Sequence, residues 1–163
     1  MADQKDGVDY FLKLQGAEGE SQQTNFTNQI KVLSWNFGGY SESTVGRTSG
    51  SGAGKVTMQP LNVVCEMDAG YTKMAGFLTQ GKHLTQGILS AVKNGSSNQA
   101  YIIITMTEVF VASLSVQAAD QVPVVNMSLT YKSINTEYKK QNETGNLVSA
   151  GTHTYDASTN QTS

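Results

Sequence analysis

Val125-Asn126-Met127-Ser128-Leu129-Thr130-Tyr131-Lys132 alternates apolar and polar side chains without a break. Only a β-strand puts successive residues on opposite faces, so this stretch is a strand with one dry face and one wet face. Ile134 and Tyr138 continue it in shifted phase. Working back from it, Tyr101 to Val116 is a long β-branched run, interrupted at Glu108 and bending near Ala112–Ser113. Val8, Tyr10, Leu12 and Leu14 alternate at the start of the chain. Ile30 to Phe37 forms a second strand with a conflict of phase. Leu33, Trp35 and Phe37 share one face while Ile30 and Val32 fall on the other, so the strand either buries both faces or changes partner midway.

Lys55 to Cys65 is a further strand, whose phase reverses at Pro60. A proline donates nothing to a ladder and marks a bulge or an edge. Gly87 to Lys93 is a short strand, followed by a hairpin turn at Asn94-Gly95-Ser96. From Lys139 the chain is polar, with one more strand candidate at Thr152 to Asp156. Met67, Tyr71, Met74 and Leu78 recur at helical spacing, with Asp68 placed to cap the start and Gly81 the end. Gln15 to Asn28 reads as a loop, and so does Gly38 to Gly54, which mixes six glycines with serines and threonines. Such a segment buries too little apolar area to offset an ordering cost of ~1–2 kcal/mol per residue. The sum is seven or eight strands, one helix and one long Gly-rich loop. It fits a small barrel or a sandwich with a single covering helix.

Composition narrows the function. At 163 residues with no internal repeat, the chain is expected to be one domain, 1–163, with a core over about 8–156 and polar termini. Apolar residues make up only 38%, which suits long polar loops or a protein that gains buried surface on association. A net charge of −2 and scattered lysines give no case for a nucleic-acid partner. No stretch approaches the ~18 apolar residues of a membrane span, and the charged start, Asp3 to Asp9, lacks a signal peptide's apolar run. The expectation is cytosolic synthesis and export, if any, by a route that reads the folded protein.

Chemistry is hard to find. Ser49 to Lys55 imitates a phosphate loop, but Ser49 stands where a glycine is required and Val56 where a hydroxyl is required. His83 and His153 have no ligands at metal spacing. Cys65, the one cysteine, lies in an apolar run and reads as a small hydrophobe. Glu108 is an odd carboxylate among apolar neighbours, suited to a subunit contact or a strand bend more than to catalysis. Tyr10, Trp35, Tyr101 and Tyr131 lie in apolar alternation, so packing is their default over a carbohydrate platform. No catalytic, cofactor or metal residues are assigned.

The order of segments resembles one family. Tyr10-Phe11-Leu12-Lys13-Leu14 leads to Gly16 and Gly19-Glu20-Ser21. Leu33-Ser34-Trp35 precedes Gly38, Gly52-Ala53-Gly54-Lys55-Val56 closes the glycine-rich loop, and Gly81-Lys82-His83 follows the helix. These are similar to motifs of the haemolysin-coregulated protein (Hcp) family, the tube subunit of bacterial type VI secretion, over Val8 to Asp156. The chain departs from the family pattern at Gly70-Tyr71-Thr72, where members often have Ser-Pro, and at Tyr155-Asp156, where Trp-Asp is usual. The resemblance implies a β-barrel that forms hexameric rings, stacked into a tube inside a contractile sheath, tipped by a spike and carrying small effectors. It implies no cofactor, release without a signal peptide, and neither nucleic-acid nor membrane partners.

Two sets of residues then become candidates. Gly39, Tyr40, Thr44, Arg47, Gly50, Gly52, Gly54 and Lys55 belong to a ring-stacking loop, expected to order against the next ring. Asn126, Ser128, Thr130 and Glu108 are candidates for a lumen wall or subunit contact. A carbohydrate-binding β-sandwich, a tube protein of another contractile injection system and a small hydrolase with a dispersed site are the competing readings.

Overall fold

In the computed structural model, residues 7–42, 55–95 and 97–163 are described. Ten strands and one helix follow in the order β1 (Val8–Leu14), β2 (Ile30–Asn36), β3 (Gly39–Ser41), β4 (Val56–Met58), β5 (Leu61–Glu66), α1 (Gly70–Gln80), β6 (Leu84–Lys93), β7 (Ala100–Gln117), β8 (Val124–Gln141), β9 (Leu147–Asp156) and β10 (Gln161–Thr162). The main sheet runs β10-β9-β8-β5-β2-β1-β6-β7, and β7 pairs back onto β8. That last pairing closes six strands into a barrel, with β9 and β10 as an outward extension. Of the barrel and the sandwich expected from sequence, the barrel is the one formed.

Closure explains why β7 and β8 are so long. The first half of β8 pairs with β5, from Leu129 opposite Leu61 to Val124 opposite Glu66. Its second half pairs with β9, from Ser133 opposite Asp156 to Gln141 opposite Leu147. Both halves also pair with β7 on the other side. A strongly sheared barrel needs such strands, because the wall returns to its starting strand well displaced along it.

Bulges resolve the phase conflicts. Between β2 and β5 the register slips between Val32 and Ser34. Leu33 is therefore an extra outward residue, 48% exposed, while Ile30 and Val32 before it are buried. Trp35 and Phe37 after it turn back to pack on the core. The same strand changes phase without changing partner. In β7 the register slips between Val111 and Ser113, at the expected bend. Glu108 takes φ 45°, at the expected interruption.

The interior is filled by Leu12, Leu14, Ile30, Val32, Leu61, Val63, Leu89, Ile104, Met106, Val125, Met127 and Leu129, all buried. A satellite cluster lies outside the wall. There the loop after β1 folds back so that Phe26 stacks on Phe11 at 4.7 Å, beside Val92. That segment, expected as a plain polar loop, contributes one apolar anchor.

The helix packs on the core through buried Met74, with Tyr71 and Phe77 against it. Leu78, expected on the inward face, is 36% exposed. Met67, Tyr71 and Met74 do pack on the core; Gly70 and Phe77 share that side, and Leu78 lies at its edge. Asp68 does accept the Gly70 N–H at 2.9 Å, and Glu20 accepts the Ala69 N–H at 3.0 Å. Gly81 ends the helix in the left-handed region at φ 63°, its N–H and that of Lys82 returning to the Leu78 and Phe77 carbonyls.

Two strands exceed expectation. β6 begins at Leu84 rather than Gly87, and β9 begins at Leu147 rather than Thr152. β9 is exposed over most of its length, so no buried alternation announces it. It is recruited by pairing to β8.

Cys65 is buried, and loss of solvation, helped by the nearby Asp68 charge, pushes its thiol up to about 12. At pH 8 only roughly one thiol in ten thousand is ionised at such a value, so thiol reagents should label Cys65 only on unfolding. The folded state also holds this proton when the unfolded chain releases it near pH ~8.5–9. Stability should therefore fall from about pH 9 towards 12. Denaturant melts across that range should show a shallower decline in Cys65→Ala than in the wild type.

Candidate assembly surfaces

The first candidate surface is a projecting ribbon. Gly39, Tyr40 and Ser41 of β3 pair with Met58, Thr57 and Val56 of β4, so the stretch expected to be loop from Gly38 begins as a ladder. Gly-Tyr-Ser has no apolar periodicity, and only its partner reveals it. A Cβ at Gly39 would lie 2.6 Å from Met58 Sδ, which would have to swing aside, and 3.1 Å from the Thr57 carbonyl, a tight contact. Val56 and Met58 rest on the barrel core. Tyr40 stands 57% exposed on the other side, and Lys55 is exposed at the foot of the returning strand.

The base of the ribbon is fixed to the barrel. The Gln59 N–H donates to the Gly38 carbonyl at 2.7 Å, and the Tyr131 hydroxyl donates to the Gln59 carbonyl at 2.8 Å. Burial, then the neighbouring Tyr155, raises the Tyr131 phenol above its ordinary pKa, so it stays a donor. An aromatic series, Tyr10 edge-on to Trp35 at 5.9 Å and Trp35 stacked on Phe37 at 6.2 Å, leads from the wall to the ribbon. Of the stacking candidates, Gly39, Tyr40 and Lys55 thus share one ribbon. Thr44, Arg47, Gly50, Gly52 and Gly54 lie outside the described residues.

The second surface is the outward face of β2, β5, β8 and the far half of β7. Asn126, Ser128 and Thr130 alternate with buried Val125, Met127 and Leu129 and so share this face. Ser128 lies opposite Asn62 on β5 and Ser113 on β7, and Asn62 lies opposite Asn36 on β2. The side chains connect: Ser128 Oγ donates to Asn62 Oδ1 at 2.5 Å, and Asn62 Nδ2 donates to Asn36 Oδ1 at 3.1 Å. Asn126 faces Val64 and Ser115. The centre of this face carries no charge, and its side chains are polar apart from Val64 and, opposite Thr130, the exposed Phe110. Sequence reasoning finds its β8 row and misses Asn36 and Asn62, because cross-strand register is not written in either strand alone.

Glu108 sits at the margin of this face. It is exposed, at the strand bend, and its carboxylate lies 3.5 Å from Lys132 Nζ. An exposed pair of this kind adds little stability, and an exposed carboxylate is poorly placed for acid–base work. His83 is exposed beside Phe110, ring centroids 5.3 Å apart, far along the chain from His153 on β9. Among the described residues no group of three His, Cys, Asp or Glu side chains is placed to hold a metal ion. Tyr10, Trp35 and Tyr131 pack against the core, in line with the packing reading, whereas Tyr101 and Tyr138 form an edge-on pair under Lys93 at the surface.

Comparison with known proteins agrees with this architecture. Residues 11–138 match the family described as type VI secretion system effector, Hcp. The protein hcp1 of Pseudomonas aeruginosa is 31% identical over 141 residues, covering 85% of this chain and 87% of that protein. Among solved structures, a type six secretion system protein superposes with a TM-score of 0.88 at 25% identity, over 96% of this chain and all of that one. Hcp1 from Salmonella typhimurium gives 0.77 at 28% identity, over 96% and 99%.

The Tyr131 bond gives a direct check on how the ribbon is held. Tyr131→Phe removes only the hydroxyl and leaves the Gln59 carbonyl without that donor. Chemical denaturation should show a loss of about 0.5–1.5 kcal/mol. Hydrogen exchange should quicken at the ribbon base around Met58–Leu61 with the rest of the barrel unchanged.

Proposed function

The chain belongs to the Hcp family of type VI secretion, and on that footing we propose that it is a non-catalytic structural subunit of the secretion tube. Copies close into six-membered rings, rings stack into a hollow tube, and small effectors travel in the lumen. Sheath and spike are its partners. The subunit is made in the cytoplasm and leaves through the secretion apparatus.

The observation that carries this reading is the ribbon built on a closed barrel. A closed barrel uses up most of its own strand edges, so an added element is a natural place for an assembly contact. The β3–β4 ribbon is such an element: its base is tied down through Gln59 and Tyr131, and its exposed tip leads into residues 43–54. We assign Gly39, Tyr40, Thr44, Arg47, Gly50, Gly52, Gly54 and Lys55 to the contact between rings. Stacking is heterologous, one face meeting a different face, so it propagates into a tube.

The uncharged face of Asn126, Ser128 and Thr130 is the lumen wall in this reading. Small polar side chains, with Ser128, Asn62 and Asn36 bonded in series, give a wetted surface without charge to repel or grip charged cargo. Glu108, paired with Lys132, stands at its margin towards a neighbouring subunit. The lectin alternative is disfavoured because Tyr10, Trp35 and Tyr131 pack on the core instead of forming an exposed platform.

Deleting Ser43–Ser51 in the full chain, in a bacterium lacking its own copy, tests the assignment. Negative-stain microscopy should still show isolated rings, while the protein should no longer appear in the culture medium. Loss of the rings, or secretion that persists, would overturn the stacking role.

A further inference from the structure

β6 ends at Lys93 and β7 begins at Ala100, so residues 94–99 make a longer connection than the tight turn expected at Asn94-Gly95-Ser96. Its two ends are held differently. At the far end Asn98 is gripped by the loop after β1: its Oδ1 accepts from Gln23 Nε2 at 2.5 Å, and its carbonyl accepts from Asn25 Nδ2 at 3.3 Å. At the near end the main chain of Asn94 is tied, its N–H donating to the Gly7 carbonyl at 3.0 Å. The Asn94 side chain is exposed and makes no hydrogen bond among the described residues. Gly95 follows it, exposed, at φ 82°, with no heavy atom within 4 Å of where a Cβ would stand.

That combination carries its own chemistry. A main-chain nitrogen that has lost its proton can attack the side-chain carbonyl carbon of an asparagine just before it. Glycine is the most favourable residue to supply that nitrogen, because it has no side chain to block the approach and the widest backbone freedom to reach it. Of all the asparagines in the chain, Asn94 alone precedes a glycine. Asn142, also in a turn, is followed by Glu143, and its Oδ1 is held by the N–H groups of Thr144 at 3.1 Å and Asn146 at 2.9 Å.

We propose that Asn94 is a site of spontaneous deamidation that marks the age of each copy of this chain. The Gly95 nitrogen bonds to Asn94 Cγ, the Cγ–Nδ2 bond breaks, and Nδ2 leaves as ammonia, taking up the proton that the Gly95 nitrogen gave away. The product is a five-membered succinimide. Water then opens the ring at either carbonyl, leaving aspartate or isoaspartate at position 94. Solvent water is the only co-reactant. Both products place a new carboxylate beside Lys93, whose ammonium lies 4.7 Å over the Tyr101 ring. Isoaspartate also moves the side-chain methylene into the main chain, one residue beyond the Val8–Lys93 pair where β1 meets β6. The modification therefore bears on how the start of β1 is seated.

The test is to age the folded full-length protein in warm, mildly alkaline buffer and follow its peptides by mass spectrometry. The peptide holding Asn94 should gain the mass difference between an amide and an acid before any other asparagine does. It should split into two chromatographic forms, one of which takes a methyl group from an isoaspartyl methyltransferase. The rate should rise with pH, since the attacking nitrogen must lose its proton. Asn94→Gln, which would need a six-membered ring, should slow the gain at this site at least several-fold without altering the main chain. Gly95→Ala should slow it too, although an added side chain is strained at that φ. Hydrogen exchange at Val8–Tyr10 should be faster in aged wild type than in equally aged Asn94→Gln. Another asparagine reacting first would overturn the proposal. So would a folded protein unchanged at Asn94 while the same chain reacts there in urea, because the fold would then protect the site.

Discussion

Everything in this molecule depends on the pairing of β7 with β8. These two 18-residue strands run side by side from Ile102 opposite Tyr138 to Gln117 opposite Val124. Without that ladder the sheet is an open ribbon of eight strands with its apolar face in water. With it, the face carrying Leu12, Ile30, Leu61, Ile104, Met106 and Leu129 is sealed. Burying one such side chain is worth ~1.5–3 kcal/mol, so a single closing ladder decides the fate of the whole core.

Closure also imposes geometry. Strands in a sheared barrel cannot stay straight and keep every apolar residue inward, so extra residues appear where the wall turns. Leu33 in β2 and the Val111–Ser113 step in β7 are such places. Each shifts the inward set by one, which is why Trp35 and Leu114 pack on the core although neither keeps phase with the preceding half of its strand. Glu108, at φ 45°, occupies another turning point. A carboxylate is tolerated there because the bend swings it to the surface beside Lys132.

Sequence stops being informative where a feature depends on two strands at once. The β8 alternation, the Glu108 interruption, the Ala112–Ser113 bend and the Gly81 terminus are local, and each is legible in its own residues. Leu33 looked contradictory because a bulge is a relation between two strands. β3 and most of β9 were invisible because Gly39–Ser41 and Leu147–Gly151 bury little or nothing. On the helix, Met67, Tyr71 and Met74 are legible in their spacing, whereas Leu78 lies at the edge of the buried face and Phe77 packs in its stead. For the candidate surfaces, the row Asn126, Ser128, Thr130 was visible as the wet half of an alternation. Asn36 and Asn62 join it only through register.

The neutral face and the tethered ribbon follow from the same division of labour. Because the barrel interior supplies the stability, outward residues are free to be chosen for assembly. On the wall, Asn36, Asn62 and Ser128 satisfy one another, so the surface keeps few unpaired polar groups to hold a passing molecule. Having no charge at its centre, the wall also changes little with ionic strength, unlike a charged channel within a Debye length of ~8 Å. At the ribbon the logic reverses. Gly38–Gln59 and Tyr131–Gln59 bonds fix the base, so a contact made at the tip is transmitted to the barrel without melting the hinge between them. In the proposed tube, the first property gives a wall that holds cargo weakly and the second a joint that does not yield.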